Sequence, residues 1–293
     1  MNFSTEILRE IELVLAKHLS KQTVCHSLVP VGGGCINQTY KVPTNVGTFF
    51  VKLNATQQAH ANFDCEIKGL QLLGENCPLV VPETLGIFQF GRWSGLLLEY
   101  IESGHADHHF WQKFGSGLAD LHQTTQAHFG LEFDNFIGSL PQQNLSTANW
   151  PDFFVESRLK PQLKLAFDAG ALSVADCVSF EKLYPSLEQL IPEEPPALVH
   201  GDLWSGNFMT DQQGTPVLID PAPYYGHREA DIAFSQLFGG FDQAFYESYD
   251  EAWPLAPDFR ERINIHNLYP LLVHVNLFGG GYVSQVRQII SKF

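Results

Sequence analysis

The spacing of hydrophobic positions changes about a third of the way along the chain. In residues 1–101, short apolar segments are separated by turn-rich stretches such as 43–47, and this arrangement predicts strands. The predicted strands are 36–42, 48–53, 85–90 and 95–101. Two other segments of this region repeat apolar residues every three or four positions, which predicts an N-terminal amphipathic helix and a helix over 63–74.

Beyond residue 101 the helical period predominates. The predicted helices are 108–123, 150–169, 174–190, 227–238, 258–277 and 281–291. One island interrupts them, where Phe208 and Leu218 flank a polar turn at 211–214, and it predicts a second short hairpin. The pattern therefore predicts an α+β fold with two lobes: a β-rich N-terminal lobe (1–101) with one inserted helix, and a mainly helical C-terminal lobe (102–293).

Composition narrows the possible functions. The chain of 293 residues has 17 Lys and Arg against 32 Asp and Glu, a formal net charge of −15, and is 44% hydrophobic. Such a chain is too apolar to be disordered and too acidic for general binding to nucleic acids or anionic membranes. No apolar run reaches the roughly 18 residues of a membrane span, and acidic residues interrupt the N-terminal segment, so neither an anchor nor a signal peptide is expected. Five dispersed cysteines without a CxxC pair predict free thiols and a cytoplasmic protein.

The densest polar chemistry lies in the string HGDLWSGN and the strand that follows it. Asp202 and Asn207 are five residues apart on a compact loop, and Asp220 ends the next strand. Phosphoryl transfer uses such a set: one carboxylate positions the attacking hydroxyl, while an amide oxygen and a second carboxylate hold Mg²⁺ on the phosphates. Asp, Gly, Ser and Asn are also common turn residues, so an ordinary turn is the alternative interpretation.

Three features of the first lobe could bind phosphate groups. Consecutive backbone N–H groups at Gly32, Gly33 and Gly34 could cradle phosphate oxygens, although a flexible turn would have the same composition. Lys52 lies on the strand face opposite Phe49, Val51 and Leu53, where it could be solvated or reach phosphates. Glu66, on the predicted helix, could pair with it. The ordered combination is much more specific than any one part.

In this order the parts resemble the protein-kinase-like superfamily, in its small-molecule branch. The strings GGGCINQTY, FVKLN, HGDLWSGN and IDPAPYYGHREADIAF are most similar to the fructosamine kinase (ketosamine-3-kinase) family, over about residues 32–281. Gly201 stands where protein kinases have the Arg of HRD, and Pro221-Ala222 replaces Phe-Gly. Both departures argue against a regulated protein kinase.

The resemblance implies a role for each matching residue. Asp202 would be the catalytic base, Asn207 and Asp220 the Mg²⁺ ligands, and Lys52 with its partner Glu66 the phosphate-binding pair. The hinge that bonds adenine would be Glu99, Tyr100 and Ile101, and Asp231 would brace the catalytic loop. Trp204 could form an aromatic wall for a sugar or be a core residue. Phe50 shares the strand face of Lys52 and is expected to line the adenine pocket.

We therefore expect an ATP- and Mg²⁺-dependent kinase that phosphorylates a sugar hydroxyl, O3, of a ketosamine such as fructosamine or ribulosamine. The alternatives are a kinase of an aminoglycoside, choline or an amino sugar, or a nucleotide-binding pseudoenzyme. The sequence leaves open a monomer or a dimer. Cys35 follows the glycine triplet directly, so oxidation there could hold the loop away from ATP; an ordinary, partly buried thiol is the alternative.

Overall fold

The computed structural model describes residues 3–32 and 36–293. The chain divides into two compact units: unit 1 holds the chain up to His108 together with Met209–Asp220, and unit 2 holds His109–Phe208 and Pro221–Phe293. The predicted boundary at 101/102 stays a prediction. The hairpin segment 209–220 groups with unit 1, although it lies in the second half of the sequence.

Unit 1 is built on an antiparallel sheet. Its helices are α1 (Phe3–Leu19) and α2 (Ala59–Asn76), and its sheet strands are β1 (Val29–Pro30), β2 (Gln38–Thr44), β3 (Gly47–Asn54), β4 (Thr84–Phe90) and β5 (Trp93–Glu99). The strands lie in the order β1-β2-β3-β5-β4. Lys52 of β3 is opposite Thr39 of β2 and Leu96 of β5, which places it in the middle of the sheet.

Each face of this sheet packs against one helix. The α1 residues Ile7, Ile11 and Leu15 are buried against Val51 and Leu53 of one face. On the other face, the α2 side chains of Phe63 and Leu70 pack with Leu96, Leu98 and Phe50. Strand alternation therefore puts Lys52 on the face covered by α2, which is the helix that carries Glu66.

Unit 2 is mainly helical. Its helices are α3 (Phe110–His122), α4 (Trp150–Phe153), α5 (Lys160–Asp168), α6 (Val174–Leu183), α7 (Leu187–Leu190), α8 (Glu229–Leu237), α9 (Gln243–Ala252), α10 (Phe259–His266), α11 (Leu268–Phe278) and α12 (Tyr282–Ile290). The remaining strands of the chain are β6 (Asn135–Ile137), β7 (Leu140–Gln142), β8 (Ala197–Val199), β9 (Phe208–Thr210), β10 (Pro216–Leu218) and β11 (Tyr224–Gly226). They form the antiparallel pairs β6-β7 and β8-β11 and the two-stranded sheet of β9 and β10. The unit 2 core is rich in aromatic rings, such as Trp150 stacked on Phe154.

The structure confirms the predicted content of a β-rich first part and a helical second part, with local differences. A π-helical segment, Phe154–Leu159, separates α4 from α5 within the helix predicted over 150–169. The predicted helix 174–190 is interrupted by a 3₁₀ turn at Tyr184–Ser186, where Pro185 has no N–H to continue the α-helical ladder. The β6-β7 hairpin and α9 were not predicted. No helix of the described residues is long and apolar enough to cross a membrane.

Candidate active site

The first group of predicted site residues is centred on Lys52. Its Nζ lies 2.6 Å from Glu66 Oε1 and also contacts the Asp220 carboxylate, all within unit 1. Lys52 is only 5% exposed. Burial alone lowers the pKa of this amine, but the charges of Asp220 and Glu66 outweigh burial and hold the pKa above its ordinary value. Lys52 is therefore a permanently charged donor aimed by two carboxylates, rather than a solvated surface residue.

Asp220 reaches this group because the β9-β10 hairpin belongs to unit 1. Val80 forms a parallel bridge with Val217 of β10, and the Leu218 N–H donates to the Val80 carbonyl. Asp220 follows two residues later with φ +52°, in the left-handed region that Asp tolerates better than most side chains. One of its oxygens contacts Lys52, and the second makes no hydrogen bond with the described residues.

The second group is the loop after β8. The Nδ2 of Asn207 donates to the Asp202 carboxylate at 2.7 Å and to the Asp202 carbonyl at 2.8 Å. The Asn207 N–H donates to the Trp204 carbonyl, which closes the loop. These contacts bring Asp202 and Asn207 together as predicted and fix the rotamer of each. They also leave Asn207 Oδ1 without a donor among the described residues.

Asp231, at the start of α8, braces this loop from behind. Its carboxylate accepts from the N–H of His200 at 2.6 Å and from the N–H of Gly201 at 3.0 Å. His122 Nε2 donates to the same carboxylate at 3.2 Å. The bracing role that the resemblance implies for Asp231 is confirmed by these contacts, and both Asp231 and His200 are buried scaffold.

A buried amide network, which the sequence did not predict, supports the segment that follows Asp220. Gln142 Nε2 donates to the Ala222 carbonyl at 3.1 Å, and Asn135 Nδ2 donates to the Pro223 carbonyl at 2.8 Å. Tyr269 donates to Gln142 Oε1 at 2.6 Å. In turn, the Ala222 N–H donates to the His200 carbonyl. Gln142 thus holds the backbone against which the loop after β8 rests.

The predicted hinge follows β5. Glu99 is the last residue of that strand, and its N–H donates to the Glu83 carbonyl. Lys41 Nζ lies 4.5 Å from the Tyr100 ring centroid. The Ile101 N–H makes no hydrogen bond among the residues that the structure describes, so it can donate to a ligand. Phe50 packs between the sheet and α2, on the face that holds Lys52.

The glycine triplet is only partly covered by the structure. A side chain at Gly32 would meet nothing within 4 Å, so the backbone there is open to a ligand. Gly33, Gly34 and Cys35 lie outside the described residues, and the expectations for phosphate binding and oxidation there stay predictions. Cys25 and Cys177 are free thiols.

A further buried cluster lies at the start of α8. His227, Glu229 and His266 offer ligand atoms within 4.8 Å of one another, a spacing that a metal could use. However, Arg262 donates to both carboxylate oxygens of Glu229, at 2.5 and 2.8 Å. A guanidinium in that position opposes a second cation, so we interpret the cluster as an ion pair that anchors the helix carrying Asp231.

Comparisons with known proteins identify the family of this chain. The fructosamine kinase family model matches residues 7–293. A probable ketoamine kinase of Synechocystis is 42% identical over 265 residues, which is 89% of this chain and 88% of the relative. The chloroplastic protein-ribulosamine 3-kinase of Arabidopsis thaliana is 38% identical over 280 residues, or 93% of this chain and 84% of the relative.

Solved structures give the same fold. The crystal structure of a candidate fructosamine-3-kinase from Haemophilus somnus 129PT matches with a TM-score of 0.89 at 29% identity, covering 99% of each chain. The crystal structure of a thermostable mutant of aminoglycoside phosphotransferase APH(4)-Ia matches with a TM-score of 0.59 at 15% identity, covering 96% of this chain and 98% of that one. At 15% identity, the similarity to the aminoglycoside phosphotransferase shows the fold alone, and it confirms the predicted kinase-like α+β class.

Proposed function

Because the chain belongs to the fructosamine kinase family, we propose that it transfers the γ-phosphoryl group of ATP to the O3 hydroxyl of a ketosamine such as fructosamine or ribulosamine. The chain is a phosphotransferase that acts on a hydroxyl. The observation that carries the proposal is the family match over nearly the whole chain, joined to two intact polar groups around Lys52 and Asp202. A nucleotide-binding pseudoenzyme would be expected to have lost at least one of Lys52, Asp202, Asn207 and Asp220, and all four are present.

Asp202 is the proposed catalytic base. Asn207 holds one of its carboxylate oxygens, and the Asp231 carboxylate holds the backbone of the two residues before it. A carboxylate fixed in this way can orient the acceptor hydroxyl and receive its proton as the phosphoryl group is transferred. Most of the rate enhancement in such reactions comes from positioning and charge neutralisation, so rigidity at Asp202 is the property that the mechanism needs.

The nucleotide is proposed to bind unit 1. Lys52 would donate to its phosphates while Glu66 keeps the amine in place, and the open backbone at Gly32 would approach the same groups with Gly33 and Gly34. The Ile101 N–H would bond the adenine edge at the Glu99–Ile101 hinge, with Phe50 lining the pocket.

The residues proposed to hold Mg²⁺ fit that ion chemically. Asn207 Oδ1 and the second Asp220 oxygen are hard oxygen donors without hydrogen bonds among the described residues. Asp220 is 46% exposed at its side chain, so its carboxylate is open to a ligand. When bound, Mg²⁺ neutralises phosphate charge. Asn207 contributes independently of the ion, because its amide also orients Asp202.

The same proposal defines the binding partner and the cellular compartment. The partner would be the substrate, a small-molecule ketosamine or a glycated amine on a larger molecule. A nucleic acid or a membrane is not expected as a partner, in keeping with the net charge of −15. The free thiols of Cys25 and Cys177 agree with a cytoplasmic protein.

The test is ATP consumption by the purified chain with Mg²⁺ and a panel of fructosyl- and ribulosyl-amines, with choline and an aminoglycoside as rival acceptors. We expect turnover with the ketosamines only. Asp202→Asn should abolish it while keeping ATP-induced thermal stabilisation. Asp168→Asn, at an exposed Asp that pairs with Lys164 one helical turn away, is the matched control and should behave as wild type. Turnover of choline or the aminoglycoside in place of ketosamines would contradict the proposal.

A further inference from the structure

A cluster of half-exposed aromatic rings begins in the catalytic loop of unit 2. We call it the aromatic shelf, and it consists of Trp204, Phe238, His274, Phe278 and Tyr282. Trp204 meets Phe238 edge-on, with ring centroids 6.0 Å apart. His274 lies at the centre, with its centroid 4.7 Å from Phe238, 5.0 Å from Tyr282 and 5.5 Å from Phe278. The shelf therefore extends away from the loop as one continuous surface.

The shelf is accessible. Phe278 is 56% exposed, and the other four members are partly exposed rather than buried. Two glycine segments border it, at 239–240 and 279–281. A side chain at Gly239, Gly279, Gly280 or Gly281 would meet nothing within 4 Å. A contiguous, exposed aromatic surface of this kind is typical of a binding site.

One polar atom lies among these rings. The Nδ1 of His274 donates to the Pro270 carbonyl at 2.7 Å, which makes Nε2 the acceptor of the neutral imidazole. Nε2 has no hydrogen-bond partner among the described residues. Burial lowers the pKa of His274, so the ring is neutral near pH 7 and keeps this lone pair. The shelf thus offers aromatic faces and one acceptor, a combination suited to a cation that carries N–H groups.

The shelf is linked to the proposed chemistry through Trp204. This residue is two positions beyond Asp202, and its ring lies directly over Gly206, where a Cβ would be 2.4 Å from the ring. A substrate whose hydroxyl is at Asp202 would therefore have its adjoining atoms near Trp204. In a ketosamine, the group next to the sugar is a secondary amine, which is protonated at neutral pH.

We propose that the aromatic shelf is the binding site for the substrate's secondary alkylammonium group. His274 Nε2 accepts from the ammonium N–H, and the rings of Phe238 and Tyr282 face the charge and its adjoining carbons. This inference rests on the proposed ketosamine kinase function and adds its recognition element, which is the positive charge of the amine. The open glycine rim leaves room for a long chain on the nitrogen.

The test measures binding and turnover with two ligands of the same sugar: fructosyl-propylamine, which is cationic, and its N-acetyl derivative, which is a neutral amide. Calorimetry should show the wild type binding the cation about tenfold more tightly. His274→Phe keeps the ring but loses the acceptor, and Phe238→Leu removes one aromatic face. Each should abolish most of this preference and raise the KM for the cationic ketosamine, with the KM for ATP unchanged. Phe167→Leu, at an exposed ring on α5, is the control and should keep the preference.

The outcomes separate the two proposals. Equal binding of the two ligands by the wild type, or a preference that both shelf variants retain, would overturn the inference whatever the turnover. A preference that depends on His274 and Phe238, in a protein that phosphorylates neither ligand, would support the shelf and contradict the proposed function. Unfolding temperatures near the wild-type value identify the shelf variants as folded, so a lost preference then reports on the site.

Discussion

Replacing Gly201 by Ala tests how tightly the loop after β8, which carries the proposed base Asp202, is held. Gly201 has φ +80°, and a Cβ there would lie 2.0 Å from the Ala222 carbonyl oxygen. That oxygen cannot move away easily, because Gln142 donates to it and the Ala222 N–H is bonded to the His200 carbonyl. The added methyl group must therefore shift the loop itself.

The size of the effect has two parts. A left-handed backbone costs an alanine about 1–2 kcal/mol. Forcing a methyl group into filled space adds about 1–3 kcal/mol more. Gly170 supplies a matched control, because its φ is +72° but a Cβ there meets nothing within 4 Å. Gly170→Ala should lose only the stability that the left-handed backbone costs, so the free energies of unfolding of the two variants should differ by about 2 kcal/mol.

The assay combines urea unfolding with steady-state kinetics. Because the Gly201 N–H bonds to Asp231 and the next residue is Asp202, a shifted loop should lower kcat about tenfold to a hundredfold. Gly170→Ala should keep the wild-type kcat. Equal losses of stability in the two variants, together with an unchanged kcat for Gly201→Ala, would refute the claim that the Ala222 carbonyl confines the loop.

Three further predictions concern the supports of the site. A double-mutant cycle of Lys52→Met and Glu66→Gln on kcat/KM should be strongly non-additive, since each residue acts through their 2.6 Å contact; additive losses would mean that Glu66 is an ordinary solvated residue. Gln142→Leu should lower kcat more than the KM for ATP, because it releases the Ala222 carbonyl; an unchanged kcat would contradict this support. Burial, followed by the charge of His266, lowers the His227 pKa from 6.5 to about 4, so folding favours the neutral ring. The contribution of the neutral His227 ring to the free energy of unfolding is complete above pH 6.5 and is lost as the pH falls towards 4. The loss is about 3 kcal/mol, at about 1.4 kcal/mol per pKa unit. Urea unfolding across that range should show a smaller decrease in the free energy of unfolding for His227→Gln than for the wild type.

The fold could be predicted from the sequence where one period dominates a segment. Alternation in β3 correctly placed Lys52 and Phe50 on one face and Val51 on the other. It could not show that Lys52 is buried, because burial depends on α2 covering that face. Likewise the place of Asp220 depends on the pairing of Val80 with Val217, and no local pattern encodes a contact between residues so far apart in the chain.

Buried polar residues account for most of what was missed in the site. Asn135 and Gln142 are paired across the β6-β7 hairpin and are both buried, but polar residues of this kind are equally common in surface loops. Their function becomes visible only when their partners, the carbonyls of Ala222 and Pro223, are known. His274 was missed for a similar reason, since a single His in an apolar helix gives no sign of the rings that surround it.

The central claim is most directly tested by identifying the product formed from fructosyl-propylamine, ATP and Mg²⁺. Phosphorus and proton NMR of the purified product should show one phosphoryl group attached to O3 of the sugar, formed by the wild type and absent with Asp202→Asn. A product phosphorylated at another position, or the same product formed at an undiminished rate by Asp202→Asn, would contradict the account.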